Sequence, residues 1–405
     1  MNISTWNTNR KWSLGYAIAL VTMFLINHFL LSGNVLPTGV KSQLLGWLNP
    51  SSINEALVYA MMALGLNVVV GYAGLLDLGF VAFWAIGGYV AGWLMSGFLA
   101  NANLDFNFFG NPGFGVVGGI HLSFWLVLIL AGAFTAVWGV IIGAPTLRLK
   151  SDYLALVTLG FGEIIPEVFR NGDDINGLNL TNGQLGIAPL DKIQLGPILL
   201  GSADSDLKFL IYSGLTAFIL FVSLRLRDGR LGRAWLAIRE DELAASMMGV
   251  PLMRTKLAAY AVGATAGGIG GVAFATHINA VLPSRFQFAI SIIILAMVVL
   301  GGMGNVWGVL TGSLVLAWFN STGLKQIGVT VNQAFGSQID FTSYTFFLFG
   351  MALILMMLYR REGFFPEART RMIMQEPERT DMENAGAEAE YAIAENQVHL
   401  DKETK

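Results

Sequence analysis

The residues of this sequence that could do chemistry are ionisable side chains set inside long apolar runs: Glu55, Asp77, Glu163, Glu167 and Arg170. A charge in hydrocarbon is costly, so such a residue faces a partner, a neighbouring helix or a water-filled path. Glu163, Glu167 and Arg170 lie at i, i+4 and i+7, which is one helical face. That spacing makes either a polar pathway lining or a Glu167–Arg170 pair with Glu163 bonded to a neighbouring helix. Glu163 lies deeper in its run and is read as lining, whereas Glu167 is read as paired. Asp77 sits in a glycine-rich stretch, where it either caps the next helix or lines a path. Asn67, uncharged but central in its run, is either interhelical glue or path lining. Glu55 follows Ser52 by three residues, the spacing of a capping box at a helix start, and is read as structural.

Other chemistries are excluded. The chain has no cysteine, so disulfides, thiolate metal sites and Cys nucleophiles are absent. His28, His121, His277 and His399 are too scattered to hold a metal, and there is no H-E-x-x-H. His277 is read as a packing residue. No G-x-S-x-G elbow occurs. No Gly-Lys dipeptide occurs either, so a Walker A loop is missing. The chain is therefore read as a non-enzymatic subunit that binds no cofactor. If ATP drives it, another chain must hydrolyse the ATP.

The elements that must position these residues follow from composition. Of 405 residues, 54% are hydrophobic and 13% charged, against about 25% charged in soluble domains. That excludes a soluble enzyme and a nucleic-acid binder and predicts an all-α, polytopic transmembrane helical bundle. Apolar runs of spanning length fall near 13–33, 53–71, 80–100, 122–142, 153–170, 207–225, 257–282, 288–303, 305–320 and 342–359. The eighth and ninth read either as two spans or as one run broken at Gly301–Asn305. With ten spans, the basic clusters at Arg10-Lys11, Arg148–Lys150, 225–256 and Arg360-Arg361 all fall on one side, the cytoplasm, together with both termini. The first span is expected to stay as an anchor. Domain boundaries are set at 1–12 for a cytoplasmic N-terminus and 13–359 for the membrane domain. From 360 to 405 runs a tail with seven basic and eleven acidic residues, expected to be disordered.

Two glycine-rich breaks interrupt the runs, one with Gly71, Gly74 and Gly79, the other with Gly301, Gly302 and Gly304. Interrupted helices at membrane depth are tolerated where they are buried in protein or line a cavity, and they point to a transport path. The connection 225–256 carries seven basic residues. At 100° per residue, Trp235, Ile238, Glu242, Ala245 and Gly249 fall on one stripe. The segment is read either as a helix docking into a partner's groove or as one lying on anionic lipid.

These stretches resemble a known family, the M-type (LivM) permease subunits of branched-chain amino acid ABC importers. The resemblance covers most of residues 53–320. Its carriers are Gly65-Leu66-Asn67 with Gly71–Gly79, Thr146–Ala155, Thr158–Ile164, Arg239–Glu242 with Ala244-Ala245 and Gly249, and Val299–Asn305. Asp77 matches the M-type branch, whereas urea permeases often carry a neutral residue there. Loop 101–121 and the acidic tail look like additions. The resemblance implies an inner-membrane importer built with a second, H-type permease, two cytoplasmic ABC ATPases and a periplasmic binding protein. It makes 225–256 the coupling segment, with Glu242, Ala245 and Gly249 matching the pattern read by the ATPase. The expected cargo is Leu, Ile or Val; urea, short amides and other neutral amino acids are the alternatives, and an ion-coupled secondary transporter is the rival class.

Overall fold

A computed structural model describes residues 8–26, 28, 37–102, 104–112, 118–149, 151–196, 198–201, 204–336, 340–360 and 363–365. The expected tail beyond Phe365, most of the N-terminal segment 1–12, Lys150 and His399 lie outside the described residues. The helices are α1 (Thr8–Leu25), α2 (Thr38–Trp47), α3 (Pro50–Leu66), α4 (Val81–Leu94), α5 (Phe124–Thr146), α6 (Ser151–Arg170) and α7 (Ser205–Asp228). They continue with α8 (Arg230–Glu240), α9 (Glu242–Met247), α10 (Leu252–Ile278), α11 (Phe288–Gly301), α12 (Val306–Trp318), α13 (Leu324–Phe335) and α14 (Thr345–Tyr359). Each expected run overlaps one of these helices, and 288–320 forms two, broken at Gly302–Asn305. Among the described residues, six stretches are long and apolar enough to cross a bilayer: 41–72, 124–146, 205–228, 252–278, 283–301 and 341–359. The other expected runs give less. The apolar part of α1 is Lys11–Leu25, α4 has 14 residues, α12 has 13, and α6 carries Glu163, Glu167 and Arg170.

The bundle is organised around α10, which packs against α3, α4 and α5. Its sequence permits this through glycines at 263, 267, 268, 270 and 271. A Cβ at Gly268 would collide with the Thr135 side chain of α5, and one at Gly87 of α4 would collide with the Gly268 carbonyl. Between apolar helices, such close approach converts small residues into van der Waals contact along the backbones. Large rings fill the space beyond the seam. Trp84 is fully buried, 4.5 Å from the Phe274 ring and 5.2 Å from that of Phe286. The long buried helix α3 runs between α7, α10 and α12.

The start of α3 differs from expectation. Asn49, not Ser52, is its N-cap, with an oxygen accepting from the Ser51 amide at 3.0 Å and Pro50 at the first helical position. Proline there has its φ already set for the helix and no N–H to satisfy, so the box of Ser52 and Glu55 is not needed.

The connections add short strands to the helical architecture. β1 (Met95–Ser96), β2 (Phe106–Phe108) and β3 (Ile120–Leu122) form a sheet in the order β1-β3-β2, and β4 (Ile193–Leu195) pairs with β5 (Ile198–Leu200). Loop 101–121 is thus tied to the end of α4. It is also clamped to the loop after α6: His121 Nδ1 stands 2.9 Å from both carboxylate oxygens of Asp191, while Nε2 faces the Gly118 carbonyl at 3.1 Å. Both ring nitrogens thus face oxygen atoms. Burial pushes the Asp191 carboxyl up, and the His121 hydrogen bond pulls it partly back.

The α10 seam makes a sharp expectation. Gly268→Val inserts a branched side chain where the Thr135 side chain already sits, an overpacking cost of about 1–3 kcal/mol. Purified in detergent, this variant should unfold at a lower temperature than the parent. Gly214→Ala on α7, where nothing lies within 4 Å of the added carbon, should not lower the midpoint, since alanine is the better helix former.

Candidate functional site

The site grows from the break between α3 and α4. The last turns of α3 widen into a π-helix over Asn67–Tyr72, and the chain then runs non-helically to Val81. Most of this stretch is buried, so its freed backbone groups require partners from the protein itself. They find them on several elements. The Leu78 amide donates to Thr158 Oγ1 of α6 at 3.1 Å, and the Val81 amide to Ser291 Oγ of α11 at 3.0 Å. The Gly79 amide donates to Asp77 Oδ1 at 2.9 Å. The Gly71 carbonyl accepts from an Arg239 guanidinium nitrogen of α8. From the second break, the Gly304 amide donates to Asn67 Oδ1 at 2.9 Å.

The two glycine breaks, far apart in sequence, are therefore one structure. At Gly71 a Cβ would overlap Asn67 Oδ1 and crowd the Gly304 amide. Gly302 and Gly304 adopt positive φ of 110° and 86° to turn α11 into α12, a region that favours glycine. Asn305 caps α12, its oxygen accepting from the Trp307 and Gly308 amides at 3.1 and 3.3 Å. Gly301, at the end of α11, packs on Gly308 and Val309. Both ends of the described chain gather here too. Trp12 of α1 stacks on Trp307 at 6.2 Å and meets Phe365 edge-on at 5.9 Å, and the Phe365 carbonyl accepts from Asn305 Nδ2 at 3.0 Å.

The segment 225–256 abuts this region. It is two helices, not one. Asp241 adopts extended geometry (φ −153°, ψ 110°), ends α8 and caps α9 by accepting from the Ala244 amide at 3.0 Å. The expected stripe is divided accordingly. Trp235, Ile238 and Ala245 turn inward and are buried. Trp235 stacks on Tyr72 with centroids 6.4 Å apart and planes 10° off parallel, and its Nε1 donates to the Thr255 carbonyl at 2.8 Å. Glu242 accepts from Lys256 Nζ of α10 at 2.6 Å. Gly249 lies exposed beyond α9 with φ +84°, and a Cβ added there would meet nothing within 4 Å. The outward face of α9 consists instead of Leu243, Met247 and Met248, exposed at 68%, 78% and 85%. A cavity of about 290 Å³ lies between this segment and the break, walled by Gly74, Leu75, Leu149, Arg239, Glu242 and Lys256, among others.

The expected residues thus divide between two settings. Asn67, Asp77 and the glycines of both breaks share the hub. Asp77 is buried and belongs to the turn leading into α4. Glu163 is elsewhere. It is exposed on the outward face of α6, among exposed Tyr153, Leu156, Ile164 and Val168, not deep in the chain's interior. Glu167 pairs with Arg170 at 3.0 Å. His277 lies beside Ser51 Oγ at 3.3 Å. The periodicity of the sequence did not single out Arg239, Tyr72, Thr158 or Ser291. Tyr72 belongs to the break itself, and the other three contact it from other elements. Only the presence of Arg239, Tyr72 and Thr158 in the motif stretches pointed toward them.

Comparison with known proteins agrees with this architecture. Residues 51–357 match the family described as branched-chain amino acid transport system / permease component. The chain is 35% identical over 341 residues to the high-affinity branched-chain amino acid transport system permease protein LivM of Escherichia coli K12, covering 78% of this chain and 69% of that one. It is 26% identical over 332 residues to the probable LivM of Methanocaldococcus jannaschii, covering 76% and 91%. It is 24% identical over 272 residues to LivH of Salmonella typhimurium, covering 64% and 79%. No solved structure matches. With three-quarters of its length aligned, the chain belongs to the family of branched-chain amino acid transport permeases.

Proposed function

We propose that this chain is the M-type permease of an ATP-driven importer that carries leucine, isoleucine and valine across a bacterial inner membrane. The observation that carries this reading is the 35% identity to LivM over most of the chain. Its weaker likeness to LivH supports a second, H-type permease as its companion. Two cytoplasmic ATPases would supply the energy, and a periplasmic binding protein would select the solute. ATP would bind to those partners and not to this chain. The pairing of Trp12 with Trp307 and Phe365 supports both termini lying on one face of the membrane. The basic residues of 225–256 make that face cytoplasmic, and ten crossings accommodate this.

The pathway reading rests on Glu163. A carboxylate without an ion pair to a neighbour among the described residues, on a largely apolar outward face that also carries the Glu167–Arg170 pair, is costly against lipid. Covered by a companion permease, the same face of α6 would place it on the seam where solute crosses. ATPase docking rests on α9. Its exposed Leu243, Met247 and Met248 offer an apolar anchor for a groove on the ATPase, while buried Trp235, Ile238 and Ala245 hold the segment to its own chain.

Three outcomes are expected. In liposomes holding both permeases and both ATPases, leucine uptake should require ATP and the binding protein. Uptake by this chain alone, driven by a proton or sodium gradient, would overturn the assignment. Glu163→Gln should slow uptake several-fold with the complex still assembled, and Glu163→Leu should be slower still; normal uptake in both removes Glu163 from the path. On α9, Met247→Asp should weaken ATPase association, read by co-purification, by roughly 5- to 150-fold, the range of a 1–3 kcal/mol coupling. Undiminished co-purification would place the docking surface elsewhere.

A further inference from the structure

We infer that Arg239 is the positioning residue through which the coupling segment holds the helix break of α3, and through Asn67 the second break. The inference rests on the reading that 225–256 faces the ATPase. Four observations carry it. An Arg239 guanidinium nitrogen donates to the Gly71 carbonyl near the end of the π-helix. The stem of the same side chain fills the place of a Gly74 side chain: a Cβ there would lie 2.8 Å from Arg239 Cγ, and Gly74 has φ +68°. One turn back on α8, Trp235 is anchored to α10 through Thr255 and lies flat on Tyr72 of the π-helix. Beyond Gly71, Asn67 Oδ1 receives the Gly304 amide.

The cavity of about 290 Å³ borders both the segment and the break, with Gly74, Leu75, Ile238 and Arg239 among its walls. Where the two are not in continuous packing, force between them passes through the groups that bridge the gap. Among the described residues these include the guanidinium on the Gly71 carbonyl, the Arg239 stem on Gly74 and the indole on Tyr72. A π-helical turn followed by a glycine-rich stretch is a soft joint, so movement of α8 shifts the Gly71 carbonyl before it shifts the rest of α3. Because Asn67 sits one turn from Gly71 and holds Gly304, the α11–α12 turn moves with it. Arg239 thus converts displacement of one cytoplasmic segment into a change at two breaks.

The test uses the full complex in liposomes and reads leucine taken up per ATP hydrolysed, a ratio that loss of folding alone does not lower. Arg239→Met keeps the stem against Gly74 and loses the donor; Arg239→Lys keeps stem and donor. Arg239→Met is expected to retain the ATPases on co-purification and to hydrolyse ATP, with uptake per ATP at least tenfold lower. Arg239→Lys is expected to recover half or more of the ratio. Asn67→Ala should lower the ratio as well, and adding it to Arg239→Met should cost little more, since both act on one joint. Equal ratios in the Met and Lys variants would overturn the inference, as would loss of the ATPases from the Met variant, which would place Arg239 in the docking surface. If the parent complex takes up leucine without ATP, the importer reading itself has failed, and that outcome is separate from either.

Discussion

A helix that stops between other apolar helices must have its freed backbone groups bonded by the protein, because no water is there to do it. Much of this molecule follows from that constraint at residues 67–80. The break draws a hydroxyl from α6, another from α11, an amide from the 302–305 turn and a guanidinium from α8. Each donor or acceptor fixes its own element against the break. The glycines are there because these partners come so close: a side chain at position 79 would collide with the Thr158 carbonyl, and one at 71 with Asn67. Close approach and hydrogen bonding are one solution to one problem.

The same hub divides the chain into a firm part and a part suited to movement. Helix α10, packed through its glycines against α4 and α5 with aromatic rings filling the margins, holds a backbone-to-backbone seam that cannot slide without clashes. By contrast, the segment 225–256 meets the break through the Arg239 and Trp235 side chains, beside a cavity. A transporter needs both. The His121–Asp191 clamp performs the matching task at the other end of α4, where it keeps loop 101–121 attached to the loop after α6.

The division of 225–256 into α8 and α9 changes what its residues do. A continuous helix would have pointed Trp235, Ile238, Glu242, Ala245 and Gly249 toward one partner. The extended backbone at Asp241 rotates the second half, so the inward residues bind the chain to itself and the outward ones are Leu243, Met247 and Met248. The residues of the segment are thereby divided, some buried against the chain itself and others exposed.

Sequence alone determined the class of this protein: apolar runs and clustered basic residues require a polytopic bundle, and two glycine clusters require two breaks. It also marked the segment 225–256 as a basic, amphipathic stretch between apolar runs, while leaving docking and a lipid-surface position as alternatives. These features are local, and local composition and period register them. What only the tertiary structure decided was pairing. Asn67 and Gly304 lie 237 positions apart, and Arg239 and Gly71 lie 168 apart; a hydrogen bond between such distant residues leaves no periodicity in either segment. Exposure was equally hidden. Glu163 has the same neighbours in sequence whether its face of α6 looks into the bundle or out of it, and only the packing of α6 on the break turned that carboxylate outward, toward whatever covers the chain.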